Sequence, residues 1–138
     1  MKLSSTMTEN VITVGMDTFL NTMCEIFEKE KFHHLLVLED NELCGVISDR
    51  DLLKALSPFL NTTAEQNRDL WTLKKRAHQI MSREPITVAE DVNVDEAVQL
   101  MIRKNISCLP VMSSDGQIKG IVTRTDLLKV CSEHVVAG

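Results

Sequence analysis

The chain has 138 residues, 43% of them hydrophobic and 25% charged, with a formal net charge of −5. That balance belongs to a globular protein able to bury a core without disulfide or metal staples. It excludes a general nucleic-acid binder, which needs a basic face for phosphates, and no apolar run approaches the roughly 18–20 residues of a membrane span.

From the N-terminus, Met1 to Thr6 lacks the apolar stretch of an export signal. The four cysteines, Cys24, Cys44, Cys108 and Cys131, are scattered and form no CxxC, so they read as buried, reduced thiols of a cytoplasmic protein. Ile12-Thr13-Val14 is a short β-branched run and predicts a strand. Leu20, Met23, Cys24 and Phe27 follow at helical spacing. Leu35 to Leu38 predicts a second strand, Glu39-Asp40-Asn41-Glu42 a turn, and a third strand runs through Gly45 into a helix from Asp49 to about Leu56.

Ser57-Pro58 ends or bends that helix. Thr62-Thr63-Ala64-Glu65 has capping-box spacing and predicts a polar linker helix. Leu70, Trp71, Leu73 and Ala77 would be its anchors on the core.

The remainder repeats what came before. Met7 to Val14 matches Met81 to Val88, and Gly45 to Lys54 matches Gly120 to Lys129. The offsets are 74 and 75, reconciled by one inserted residue near Gly116 or Gln117. Leu35-Leu36-Val37-Leu38 likewise matches Leu109-Pro110-Val111-Met112. In the second copy Asn93 is the expected N-cap, with Glu96 three residues on. Val94, Ala97, Val98, Met101 and Ile102 make the apolar stripe, and a closing helix runs from Arg124 to about Cys131. The order is β-α-β-β-α twice, an α+β chain divided into residues 5–60, a linker at 61–79, and residues 80–134.

Three features could carry chemistry. Gly45 and Gly120 mark a bulge or a close approach to a ligand. Ser48 and Thr123 can cap the following helix or touch a ligand. Asp51 and Asp126 can interact with the helix dipole, or accept two hydrogen bonds from a sugar cis-diol. His33 and His34 are adjacent and point to opposite faces of a strand, so they do not share a metal. His78 and His134 lack companions. No nucleophile elbow, Walker loop or GxGxxG is present, so an enzyme is disfavoured.

The paired blocks, above all Gly45-Val46-Ile47-Ser48-Asp49-Arg50-Asp51 and Gly120-Ile121-Val122-Thr123-Arg124-Thr125-Asp126, resemble the CBS domain family over about residues 5 to 133. The resemblance implies a tandem CBS pair (Bateman module), two units packed sheet to sheet and often paired again as a homodimer. It implies a non-catalytic sensor of an adenosine compound such as AMP, ADP or ATP, with no required cofactor, acting on a separate effector protein. One implied cleft has Val46, Ser48 and Asp51 with Met81, Ile86, Ile106, Ser107 and Cys108. The other has Ile121, Thr123 and Asp126 with Met7, Ile12, Phe32, His33 and His34, plus Arg50 reaching in toward phosphate. The cations favour this second cleft for a phosphorylated nucleotide. Leu36 stands where the family often has proline, and Thr125 replaces the basic residue found at Arg50. The alternative is a structural or dimerisation module with vestigial clefts.

Overall fold

The computed structural model describes the backbone of residues 1–30 and 32–137 and the side chains of 1–30 and 32–133. Its elements in chain order are a 3₁₀ turn at Leu3–Ser5, β1 (Thr13–Gly15), α1 (Leu20–Lys29), β2 (His34–Glu39), β3 (Glu42–Ser48) and α2 (Asp49–Ala55). Then come α3 (Asn67–Trp71), a 3₁₀ turn at Thr72–Lys74, α4 (Ala77–Ile80), β4 (Ser82–Arg83), β5 (Val88–Ala89), α5 (Val94–Lys104), β6 (Cys108–Met112), β7 (Ile118–Thr123) and α6 (Arg124–Ala137). The class is α+β, as the repeat implies.

The chain forms two compact units, and their membership is not linear. One is Ile12–Pro85; the other joins Met1–Val11 to Ile86–Gly138. Each sequence copy therefore gives its leading segment to the unit built around the other copy.

In the Ile12–Pro85 unit, β1 runs parallel to β2, and β2 and β3 form an antiparallel hairpin that β4 extends. The hairpin turn is Asp40-Asn41, with φ of 51° and 66°. Positive φ at both central residues matches the right-handed twist of the strands. Leu35, Val37 and Ile47 point to one face and are fully buried with Leu20 and Met23 of α1. Period-two alternation thus places one face of the hairpin on the helices.

The other unit repeats this plan. β5 is parallel to β6, which is antiparallel to β7, and Thr8 bridges Ile121 as a single-residue edge. Leu109, Val111 and Val122, the counterparts of Leu35, Val37 and Ile47, pack with Val94, Ala97 and Met101 of α5. Both hairpins shift register at the same place, between Val37 and Leu38 and between Val111 and Met112.

The leading segments do matching work. Leu3 donates its amide to the Val92 carbonyl, and Ala77, 74 positions on, donates to Thr18. The Met1 carbonyl accepts the Val94 amide at the start of α5, as the Lys75 carbonyl accepts that of Leu20 at the start of α1. Asn93 is the N-cap residue, as expected, but its side chain makes no cap hydrogen bond, so the expected capping box with Glu96 does not form; the Met1 carbonyl satisfies only the first free amide of the helix.

The linker also differs from expectation. Thr62 turns its hydroxyl back to the Phe59 carbonyl (2.6 Å), and the Glu65 carboxylate accepts the Asn61 amide, so no helix starts there. The helix begins at Asn67 instead, with Asp69 accepting the Gln66 amide at 2.7 Å. Asp69 is buried and also accepts from the Ser57 hydroxyl at 2.7 Å. Ala77 is fully buried as expected, but Leu70 and Trp71 are exposed, at 44% and 64%, and are not core anchors. The Trp71 ring instead carries Lys74 Nζ, 4.8 Å from the centroid. Asp69 and Trp71 stand two positions apart, roughly 200° around a helix of 3.6 residues per turn, so with Asp69 on the buried side Trp71 faces outward.

The thiols need a correction as well. The cysteines are free, as expected, but only Cys108 is buried; Cys131 is exposed, and Cys24 and Cys44 are intermediate. Among the described residues no helix is long and apolar enough to cross a membrane.

Candidate functional site

Both repeats build the same junction, where a strand ends and a helix begins. In the Ile12–Pro85 unit, β3 delivers Ser48 as the N-cap of α2. Ser48 Oγ accepts the Asp51 amide at 3.1 Å, and Asp51 Oδ2 accepts the Ser48 amide at 2.9 Å. In the other unit Thr123 and Asp126 do the same at 3.2 and 2.9 Å. The capping role left open by the sequence is therefore real in both copies, worth about 1 kcal/mol each. It does not exhaust these groups. The Ser48 and Thr123 hydroxyls act here as acceptors and keep a proton to donate. Asp51 Oδ1 accepts no hydrogen bond among the described residues.

The two glycines are fixed by main-chain proximity. A Cβ on Gly120 would lie 2.7 Å from the Thr8 carbonyl oxygen, and one on Gly45 would lie 2.9 Å from that of Ser82. The bulge reading of these glycines holds, because the register shift falls beside them: Val37 pairs with Gly45 but Leu38 with Leu43, and Val111 with Gly120 but Met112 with Ile118; the backbone that approaches them is the protein's own leading segment. Met81 packs against Gly45 and Met7 against Gly120. Met81 therefore shares a unit with Ser48 and Asp51, and Met7 with Thr123 and Asp126.

The remaining predicted residues sort by unit. Ile12, Phe32, His33, His34, Val46 and Arg50 belong with Asp51, and Ile86, Ile106, Ser107, Cys108 and Ile121 with Asp126. His34 pairs with Ser48, and Cys108 with Thr123, in the two hairpins. The His33 carbonyl accepts the Asp49 amide just as that of Ser107 accepts Arg124. Ile12, Ile86 and Ile106 pack against the cores of their units, so part of their apolar surface is committed to folding.

The cations are unequal. Arg50 is exposed at the start of α2. His33 Nδ1 lies 3.0 Å from Asp49 Oδ2, so a carboxylate already engages this imidazole. His78, expected to stand alone, has Nε2 4.0 Å from Asp17, which also pairs with Arg76 at 3.3 Å. The side chain of His134 lies outside the described residues. Among the described residues no group of three or more histidine, cysteine or acidic side chains could hold a metal.

Thr8 is the residue that sequence reasoning missed. Its Oγ1 lies 3.2 Å from Asp126 Oδ1 and 3.4 Å from Oδ2. The available signal was the repeat itself, which aligns Met7-Thr8 with Met81-Ser82 and so keeps a hydroxyl in both copies.

Comparison with known proteins finds the CBS domain model matching twice, at residues 3–58 and 77–133. A CBS domain-containing protein of Dictyostelium discoideum is 36% identical over 124 residues, covering 88% of this chain and 85% of its own. Two solved structures are similar over most of both chains. CBSX2 in complex with AMP has a TM-score of 0.75 and 28% identity, covering 96% of each. The CBS domain pair of protein MJ0100, in complex with 5′-methylthioadenosine and S-adenosyl-L-methionine, has a TM-score of 0.80 and 26% identity, covering 97% of this chain and 98% of its own.

Proposed function

Because the chain belongs to the CBS domain family, with two copies of that domain in tandem, we propose that it is a regulatory module. In this reading it binds an adenine nucleotide of the AMP, ADP or ATP type and acts on a separate effector protein. The observation that carries it is the repeated carboxylate. Asp51 and Asp126 each give Oδ2 to the helix cap, which holds the carboxyl group in one orientation at the end of a strand. A carboxylate so fixed suits the cis-diol of a ribose, which donates two hydrogen bonds. AMP, 5′-methylthioadenosine and S-adenosyl-L-methionine, the compounds held by the two solved relatives, share that diol.

Regulation requires the nucleotide to bind one state of the module better than another. The reading also includes a second copy of the chain as partner. Leu53 on α2 and Leu128 on α6 occupy equivalent repeat positions and are 69% and 67% exposed. Exposed leucines repeated at one position on two equivalent helices suit burial in a homodimer.

Thermal melts with AMP, ADP, ATP and S-adenosylmethionine test the ligand. At a hundredfold excess over Kd a true ligand adds about 2.7 kcal/mol. Asp51→Ala and Asp126→Ala should each reduce that gain. Absence of a shift with every compound would overturn the reading in favour of a purely structural module.

A further inference from the structure

In the unit that contains α6, the carboxylate of Asp126 already has a donor across its two oxygens. A threonine hydroxyl carries one proton, and Thr8 Oγ1 lies within donating reach of both oxygens, 3.2 Å from Oδ1 and 3.4 Å from Oδ2. The edge joining the two oxygens is where a two-pronged donor docks on a carboxylate. A cis-diol giving one hydrogen bond to each oxygen needs that same edge.

Thr8 is held there from two directions. Its backbone exchanges hydrogen bonds with Ile121, N to O at 2.8 Å and O to N at 2.9 Å. Its β-branched side chain has few rotamers. The other unit lacks the arrangement. Ser82 sits opposite Val46 as Thr8 sits opposite Ile121. Yet Ser82 is exposed, and among the described residues no hydrogen bond joins it to Asp51. Serine has no methyl group to restrict its rotation, so its hydroxyl is free to turn to water.

Resting on the reading that Asp126 holds a ribose, we infer that Thr8 is a positioning residue that sets the threshold for nucleotide capture at Asp126. Its hydroxyl occupies the paired-oxygen edge when no nucleotide is bound, and the diol must displace it. The two carboxylates are thereby made unequal by a single exchange, threonine for serine, in the leading segments.

Isothermal titration of the full chain with AMP tests this. Thr8→Val removes the competing hydroxyl with little change of shape and is expected to tighten AMP about tenfold, the scale of one hydrogen bond to a charged group. The gain disappears in Thr8→Val/Asp126→Ala and is absent for 2′-deoxy-AMP, which has no diol; a purely structural role for Thr8 would discriminate neither. Thr8→Ser keeps the hydroxyl but frees its rotation, and is expected to tighten AMP a few-fold; it decides the matter if Thr8→Val does not fold. AMP binding that weakens in Asp126→Ala but is unchanged or weaker in both Thr8 variants would overturn the inference alone. AMP binding that is absent, or indifferent to Asp126→Ala, would overturn the ribose reading and the inference with it.

Discussion

The Thr8 carbonyl oxygen lies 2.7 Å from the point where a Cβ on Gly120 would stand, closer than real Cβ atoms come to a backbone atom. Gly120→Ala must therefore move the leading segment or β7. Alanine would reduce the entropy of the unfolded chain, an advantage of about 0.4–1 kcal/mol, but overpacking of this kind costs about 1–3 kcal/mol. The clash wins, and the melting temperature falls by several degrees. Gly45→Ala meets Met81 Sδ at 2.5 Å and the Ser82 carbonyl at 2.9 Å, and the same loss is expected. A melt of either variant equal to wild type would refute the prediction.

Asp69 gives the linker its own pH dependence. The Ser57 hydroxyl first, and then the Gln66 amide, hold the Asp69 carboxyl below the ordinary carboxylate range. A group depressed in the folded state contributes stability above its unfolded value of about 4, and that contribution is lost as pH falls through the folded value. Trp71, the single tryptophan, sits two residues away. Its emission should stay constant from pH 8 to 5 and change as pH drops below about 4. In Ser57→Ala the spectrum should already be displaced at pH 7. Identical spectra for the two proteins at pH 7 would dismiss this role for Asp69.

The cysteines should alkylate in order of access. Cys131 is exposed and Cys108 buried. Cys24 is partly covered, and burial foremost pushes its thiol up, with Glu25 and Glu28 adding to the effect. Less thiolate means slower reaction. Timed iodoacetamide labelling at pH 8, read by mass spectrometry, should modify Cys131 first and leave Cys108 until last. Early labelling of Cys108 would contradict the buried position of β6.

Self-association should depend on Leu53 and Leu128. Each is more than two-thirds exposed, so glutamate at both sites costs the monomer little. Sedimentation should find wild type as a dimer and Leu53→Glu/Leu128→Glu as a folded monomer. A double variant that sediments as wild type would remove these leucines from any interface.

Much of this was readable because it repeats. Leu35, Val37 and Ile47 and their counterparts lie in apolar runs shared by the two copies, and those runs are the strands of the cores. The capping boxes at Ser48 and Thr123 follow from local spacing alone. What could not be read depends on which distant segment arrives. Asn93 is the N-cap residue but gives no side-chain bond, and the first amide of its helix goes to the Met1 carbonyl, 93 positions back. Thr62 to Glu65 had the right spacing but turned back on the Phe59 and Asn61 main chain. The Thr8 hydroxyl reaches Asp126 across 118 positions, a distance over which no periodicity carries information.

Leu3 is wholly enclosed beside Val94, Ala97, Leu109 and Val122. During synthesis on the ribosome, then, residues 1–11 are made before the Ile12–Pro85 stretch and their partners after it. The Ile12–Pro85 unit can close once its own stretch has emerged, while residues 1–11 must wait, unpaired, until the second hairpin is complete. A pause in translation after Pro85 would leave one finished half carrying a leading segment whose Leu3 has no core to enter, which makes that interval the moment of greatest exposure to misassembly between neighbouring nascent chains.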